Sequence, residues 1–317
     1  MVHGVNPTKK EGSDKFVARL QQTLDGWRKD DPPCKKELPV EADVPEWLVD
    51  KALEMGAGDK DLAIADLIQV AFYYLLRVGE YTHKAGTRDS RSRAKQTQPF
   101  RMKDVAFFGW NKSRQRIYRL PRTASDEEIL NSKCVTLQLD NQKNGWKGVC
   151  INHEHNGDPI HCGTRAIARR YIHIHRHTND MDTPLYTFYE NGSQGHITDK
   201  DIRAAVKKAA TALDYQNTRG IPLSHINTHS LRIGGACALA LAGYSDTQIM
   251  KMGRWRGATF QEYIRENLSN YSEGMSTKVK EVHGFVQIDA GAFTNVTDQC
   301  CDSTNDYSSH ISTAVAA

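Results

Sequence analysis

No run in this 317-residue sequence is long and apolar enough to cross a membrane as a helix. The most apolar stretch, Leu67–Leu76, has about half the needed length and stops at Arg77. The opening residues, MVHGVNPTKKEGSDKF, lack the apolar core of a secretory signal. A soluble, intracellular protein with no membrane partner is therefore expected, nuclear in a eukaryote and otherwise cytoplasmic. Cysteine is scarce: seven residues, scattered apart from adjacent Cys300 and Cys301, in an odd number that points to free thiols rather than a disulfide framework. There is no internal repeat of about 20–50 residues, which excludes solenoids and propellers. An excess of one charge is lacking too. Lys and Arg total 42 against 38 Asp and Glu, and a net +4 does not by itself imply a nucleic-acid partner.

What is present is an ordinary globular mixture, 39% hydrophobic and 25% charged, in a chain long enough for one large domain or two modest ones. The charge is unevenly placed. Between Arg88 and Arg122, eleven Lys or Arg, beginning with Arg88, Arg91, Arg93 and Lys95, stand against only Asp89 and Asp104. Such a density suits a phosphate-facing surface, and equally a solvated basic face.

Residues 1 to about 42 read as a short helical piece, Phe16 to Trp27, ended by Asp30-Asp31-Pro32-Pro33 and followed by an extended linker. The body begins near Val44. Asp61 to Glu80 has the pattern of a buried helix, and short β-like runs follow at Val105–Phe108 and Arg116–Leu120. Val135, Leu137 and Leu139 alternate with polar residues, Asn144-Gly145 is a turn signal, and Val149–Ile151 returns, which predicts a hairpin with Lys143 near its tip. Helices are expected at Arg165–Arg176, Thr198–Leu213 (capping box Thr198/Asp201), His229–Leu241 (stopped by Gly243), Asp246–Met252 and about Thr259–Leu268. The fold class is mainly α with a small antiparallel β-sheet. After about Lys280 the periodicity fades into Ser, Thr, Asn and Asp, as in a disordered tail.

One constellation suits phosphodiester chemistry without a metal. Such a reaction needs cations for two nonbridging oxygens, a proton for the leaving 5′-oxygen, and a nucleophile. Planar, permanently charged arginines suit the oxygens, lysine or histidine the proton, and tyrosine, its phenol assisted by nearby cations, the attack. The chain offers Arg77 and Glu80 in LLRVGEY, and Lys143 at the hairpin. It then offers His229 and Arg232 three apart in HSLRIGGACALALAG, Arg254-Trp255 after Gly253, and Tyr263 in FQEYIREN.

This order, Arg, Lys, His-x-x-Arg, His or Trp, then Tyr, resembles that of the tyrosine recombinases, the group of phage integrases, Xer-type resolvases and Cre-like enzymes. The resemblance runs from about Val44 to Lys280, and its most specific part is HSLRIGG to EYIRE. The wording GRW…EYIRE and the DPP linker look most like recombinases of DIRS- or Crypton-type mobile elements. The resemblance implies a DNA breaking-rejoining catalytic fold and residue roles. Arg77 and Arg232 would clamp the scissile phosphate, Glu80 would orient the first arginine, and Lys143, or alternatively Lys147, would protonate the leaving oxygen. His229 would assist proton transfer, and Tyr263 would form a 3′-phosphotyrosyl link. The remaining position falls to Trp255, which has the usual chemistry, or to Arg254, which has the usual nine-residue spacing to the tyrosine and otherwise a supporting role.

Double-stranded DNA would be held by Arg88, Arg91, Arg93, Lys95, Arg203, Lys207 and Lys208, in a homo-tetramer on paired sites, with no cofactor and no metal. By the same resemblance, residues 1–42 are a remnant of the core-binding domain plus linker, 43–280 the catalytic domain and 281–317 the tail. A non-catalytic DNA-binding remnant and a type IB topoisomerase-like enzyme are the alternatives.

Other clusters fit less well. HCGTR at 161–165 has the wrong arginine spacing for a phosphatase loop and reads as a helix entry. Cys150, His153, His155, His161 and Cys162 match no standard zinc spacing. His173, His175 and His177 alternate, which on a helix would scatter them around the axis.

Overall fold

The computed structural model describes residues 20–22, 36–54, 56, 58–84, 97–140, 148–257, 260, 261 and 264. All belong to one structural unit, Met1–Leu268, and a second unit, Ser269–Ala317, lies outside the described residues, as does the expected tail. The elements are α1 (Asp43–Glu54), α2 (Asp59–Tyr73), α3 (Val78–Tyr81), β1 (Val105–Asn111), β2 (Arg116–Arg119), α4 (Asp126–Leu130), β3 (Cys134–Leu139), β4 (Val149–Glu154), α5 (Gly163–His175), β5 (Thr187–Glu190), β6 (Ser193–His196), α6 (Asp199–Ala212), α7 (Tyr215–Arg219), α8 (Thr228–Leu241) and α9 (Asp246–Gly253). The protein is mainly helical, with a four-stranded antiparallel sheet ordered β2-β1-β3-β4 and a separate β5-β6 hairpin.

The expected hairpin is β3-β4, with Leu139 opposite Val149. Its connection, carrying Lys143 and Lys147, lies outside the described residues. Val135, Leu137 and Leu139 point to the core as their alternation requires. Sequence reading missed α1, α4, α7 and the β5-β6 hairpin; all but α1 have only four or five residues in each element.

Helix α2 sits at the centre, buried continuously from Ala63 to Phe72, with α1, α5, α6 and α8 packed around it. Burial on every side explains its largely apolar sequence. Of its two polar members, Asp66 accepts from Arg169 of α5 at 2.8 Å; Gln69 accepts from the same guanidinium at 3.2 Å through Oε1, while its buried Nε2 has no hydrogen-bond partner among the described residues. The expected continuous helix from Asp61 to Glu80 is corrected here. It starts at Asp59 and ends at Tyr73. Leu75 then takes a left-handed conformation (φ 49°), and helix resumes only at Val78. Hydropathy could not show this break, because both sides of it are apolar.

The chain is attached to the body before α1 begins. Leu38 and Val40 donate backbone hydrogen bonds to the carbonyls of His225 and Ser230, and Val40 is fully buried. Against it lies α8, which approaches both Val40 and α2 through Gly234 and Gly235. A methyl group at Gly234 would overlap the Val40 carbonyl, and one at Gly235 the Phe72 carbonyl. Backbone cannot yield as a side-chain tip can. Gly235→Ala is expected to lower the unfolding free energy by about 1–3 kcal/mol, the usual cost of overpacking. Urea denaturation checks this, and an unchanged midpoint would contradict so close a contact between α2 and α8.

Candidate active site at the junction of α3, α8 and α9

The break after α2 builds one wall of the site. Arg77 caps α3, and its backbone N–H donates to Glu80 Oε2 at 2.8 Å while its Nη1 donates to Glu80 Oε1 at 3.3 Å. Glu80 is completely buried. A buried carboxylate needs such partners, since an unpaired one would be costly to desolvate.

Helix α8 supplies the second wall, and its N-terminus is firmly closed. Asn227 Oδ1 accepts from the Thr228 N–H and from Arg203 Nε, both at 2.9 Å. Glu37 accepts from the Asn227 side chain and from the His229 backbone N–H, and its carboxyl pKa is raised by burial. One turn into α8, His229 and Arg232 project together. Arg232 is almost fully buried, and its two terminal nitrogens donate to the carbonyls of Leu75 and Gly253. The indole of Trp255 lies 4.3 Å from its guanidinium carbon, a cation–π contact on the guanidinium face.

Helix α9 closes the site. Its C-cap is Arg254, which takes the left-handed conformation (φ 58°) that glycine usually supplies. The glycine stands one residue earlier because a side chain at Gly253 would overlap the Trp255 ring. Arg254 therefore turns inward. It is fully buried, and its Nη2 donates to the Leu75 carbonyl at 2.9 Å and to Glu80 Oε2 at 3.0 Å. Trp255 also packs on Phe260 (5.6 Å between rings), within a small cluster of Leu75, Ala236, Ile249 and Phe260.

Arg77, Glu80, His229, Arg232, Arg254 and Trp255 are thus brought together from two segments well over a hundred residues apart. Two arginines, Arg77 and Arg254, meet one carboxylate, and Arg232 joins them through the Leu75 carbonyl that Arg254 also uses. That field shapes the histidine. Burial first, then the charges of Arg232 and Arg77, push the His229 imidazole down to about 4, so it is neutral at pH 7. Burial likewise lowers the Arg254 guanidinium, against the opposing pull of Glu80.

Other expected residues are placed differently. Arg203 is engaged at the α8 cap and with Asp199 at 3.1 Å, whereas Lys208 lines a groove with Trp47, Lys51 and Lys60. The two do not form one row. The basic stretch divides as well. Arg101 is bound by Asp104, Asp140 and Asp182, while Lys112, Arg114, Arg116 and Arg119 are exposed on or beside edge strand β2. Tyr263, Lys143, Arg88, Arg91, Arg93 and Lys95 lie outside the described residues. Among those described, no group of three His, Cys, Asp or Glu is placed to hold a metal. The HCGTR segment is a helix entry, with Cys162 as the cap of α5. His173 on α5 and His177, in the turn just past its C-cap, nevertheless come together (rings 5.1 Å). The contributions of Leu75 and Gly253 were missed: both act through backbone carbonyls, which side-chain motifs do not encode.

No family model matches this chain, and no curated protein does. Among solved structures it is similar to the XerH site-specific recombinase in a post-cleavage complex with palindromic difH substrate (12% identity, TM-score 0.45, 77% of this chain and 54% of that one). It is also similar to XerA recombinase (14%, 0.41, 80% and 67%) and to the Tn1549 transposon integrase in complex with a circular intermediate DNA (10%, 0.38, 80% and 68%). The chain spans about half the length of the first of these.

The depressed His229 pKa fixes a sign. Above pH 6.5 both folded and unfolded chains carry it neutral. As pH falls from 6.5 towards 4 only the unfolded chain takes up the proton, so folding stability drops across that window. In an NMR titration of the free protein, the His229 imidazole should remain neutral at pH 5.5. A midpoint at or above 6.5 would contradict its burial beside two arginines.

Proposed function

We propose that this chain is the catalytic part of a tyrosine recombinase, which cuts and rejoins DNA through a covalent link to Tyr263. The observation that carries the reading is the convergence of Arg77, His229 and Arg232 in one buried, positively charged site with Trp255 against Arg232. Arginines in a low-dielectric setting suit a phosphoryl group that gains negative charge during reaction. Their planes are set in advance, Arg77 by Glu80 and Arg232 by the Leu75 and Gly253 carbonyls, so little reorganisation is left for the transition state.

In this mechanism the Tyr263 oxygen attacks phosphorus, the bond to the 5′-oxygen breaks, and Lys143 delivers a proton to that oxygen. Neutral His229 accepts or relays the phenolic proton, which an imidazolium could not do. The energy of the broken phosphodiester is kept in the 3′-phosphotyrosyl bond, and a second 5′-hydroxyl reverses the step to rejoin the strands. Tyr263 follows Phe260 by three residues, and three residues of chain span at most about 10 Å. Phe260 is itself anchored on Trp255, which supports a nucleophile near the arginines. Strand exchange between two DNA sites would take a tetramer of such chains, and the exposed cations around β2 would contribute to holding duplex.

Covalent trapping tests the reading. With a nicked suicide duplex built from the DNA flanking this gene, the wild-type chain should give a band shifted on a denaturing gel. Tyr263→Phe should abolish the band while leaving duplex binding intact. An adduct that survives the substitution would move the nucleophile elsewhere, and efficient plasmid relaxation without a target site would favour the topoisomerase-like alternative. Arg232→Ala should reduce adduct formation by at least about 100-fold, the scale of losing a charge-stabilising donor.

A further inference from the structure

We propose that Arg254 is a positioning residue that sets the orientation of Arg77 through Glu80 and makes no contact with DNA itself. The inference rests on the recombinase reading for what Arg77 does, and on geometry for the rest. Glu80 Oε2 accepts from the Arg77 backbone N–H at 2.8 Å and from Arg254 Nη2 at 3.0 Å. Its other oxygen holds the Arg77 side chain at 3.3 Å. Oε2 is therefore shared by the Arg77 backbone and Arg254, while Oε1 faces the Arg77 side chain. Without Arg254 only the backbone N–H would hold Oε2, and the carboxylate plane could turn out of line with the Arg77 guanidinium.

The backbone supports the same assignment. Leu75 (φ 49°) and Arg254 (φ 58°) are two non-glycine residues in the left-handed region, and a hydrogen bond from Arg254 Nη2 to the Leu75 carbonyl joins them at 2.9 Å. Such conformations persist where surrounding contacts over-determine them, and they concentrate at functional sites. Leu75 also receives Arg232, so the Arg254 side chain lies one acceptor away from each of the other two arginines. Arg254 is completely buried, while the Arg77 side chain keeps about a fifth of its surface exposed (22%). Of the two arginines that hold Glu80, Arg77 is the one that keeps side-chain surface open. Residue 254 stands at the nine-residue spacing before Tyr263, yet its guanidinium is directed into the protein and the neighbouring indole of Trp255 faces Arg232.

The test separates positioning from direct contact. Arg254→Met should slow single-turnover adduct formation by about 100-fold, the scale of a misplaced catalytic group, with the Kd for duplex changed by less than about 3-fold. Arg254→Lys, which keeps a buried cation, should recover part of the rate. In a Glu80→Gln background, adding Arg254→Met should cost little more, because both act on the same arginine. Fully additive losses, or a Kd that weakens in step with the rate, would overturn the proposal. A measurement free of activity guards against misfolding and against failure of the recombinase reading. By 15N NMR of the free protein, rotation of the Arg77 guanidinium should be hindered in the wild type and released in both Arg254→Met and Glu80→Gln. Unchanged Arg77 dynamics in a folded Arg254→Met protein would overturn the positioning role even if no adduct forms.

Discussion

Two acceptors, the carbonyl oxygen of Leu75 and the carboxylate of Glu80, tie Arg77, Arg232 and Arg254 together. Arg232 and Arg254 both donate to Leu75, and Arg77 and Arg254 both donate to Glu80. Burying a guanidinium is tolerable only where its donors are satisfied and its charge is opposed. The fold supplies acceptors for them by breaking the central helix after Tyr73 and turning a strained leucine so that its carbonyl faces α8 and α9. Much else follows from that break. The paired glycines of α8 let it come close to α2, and the cap of α9 takes an arginine in a glycine-like conformation.

The electrostatic consequence is a buried cluster rich in fixed positive charge that includes a neutral histidine. His229 stays neutral because protonation would add a further cation beside Arg232 and Arg77 in a buried place. An incoming phosphate supplies the opposite sign and would make the imidazolium easier to form. In the proposed reaction, a proton taken from a phenol would then be best accommodated with the phosphate in place, which would couple proton transfer to substrate binding.

A good part of this was legible in the sequence. The i, i+3 pair His229/Arg232, the capping box at Thr198/Asp201 and the alternation of Val135, Leu137 and Leu139 are local signals, and each predicted its element. The residues at 77, 80, 229, 232, 254 and 255 were expected in one site, and they do lie together. What could not be read was non-local. The helix break at Leu75 hides in an apolar run, and its function resides in a backbone carbonyl. The roles of Arg254 and Trp255 depend on which way each turns at a helix end, and adjacent residues at a left-handed cap diverge in a manner that spacing alone does not reveal. The engagement of Arg203 with Asn227 follows from where α6 meets the start of α8.

The central claim is that Arg77 and Arg232 form one phosphate-binding pair. A crystal structure of the Tyr263→Phe protein with uncleaved duplex tests it most directly. The account predicts one backbone phosphate with its two nonbridging oxygens about 3 Å from the guanidiniums of Arg77 and Arg232, and with His229 alongside. A duplex bound on another face, with no phosphate reaching either arginine, would contradict it.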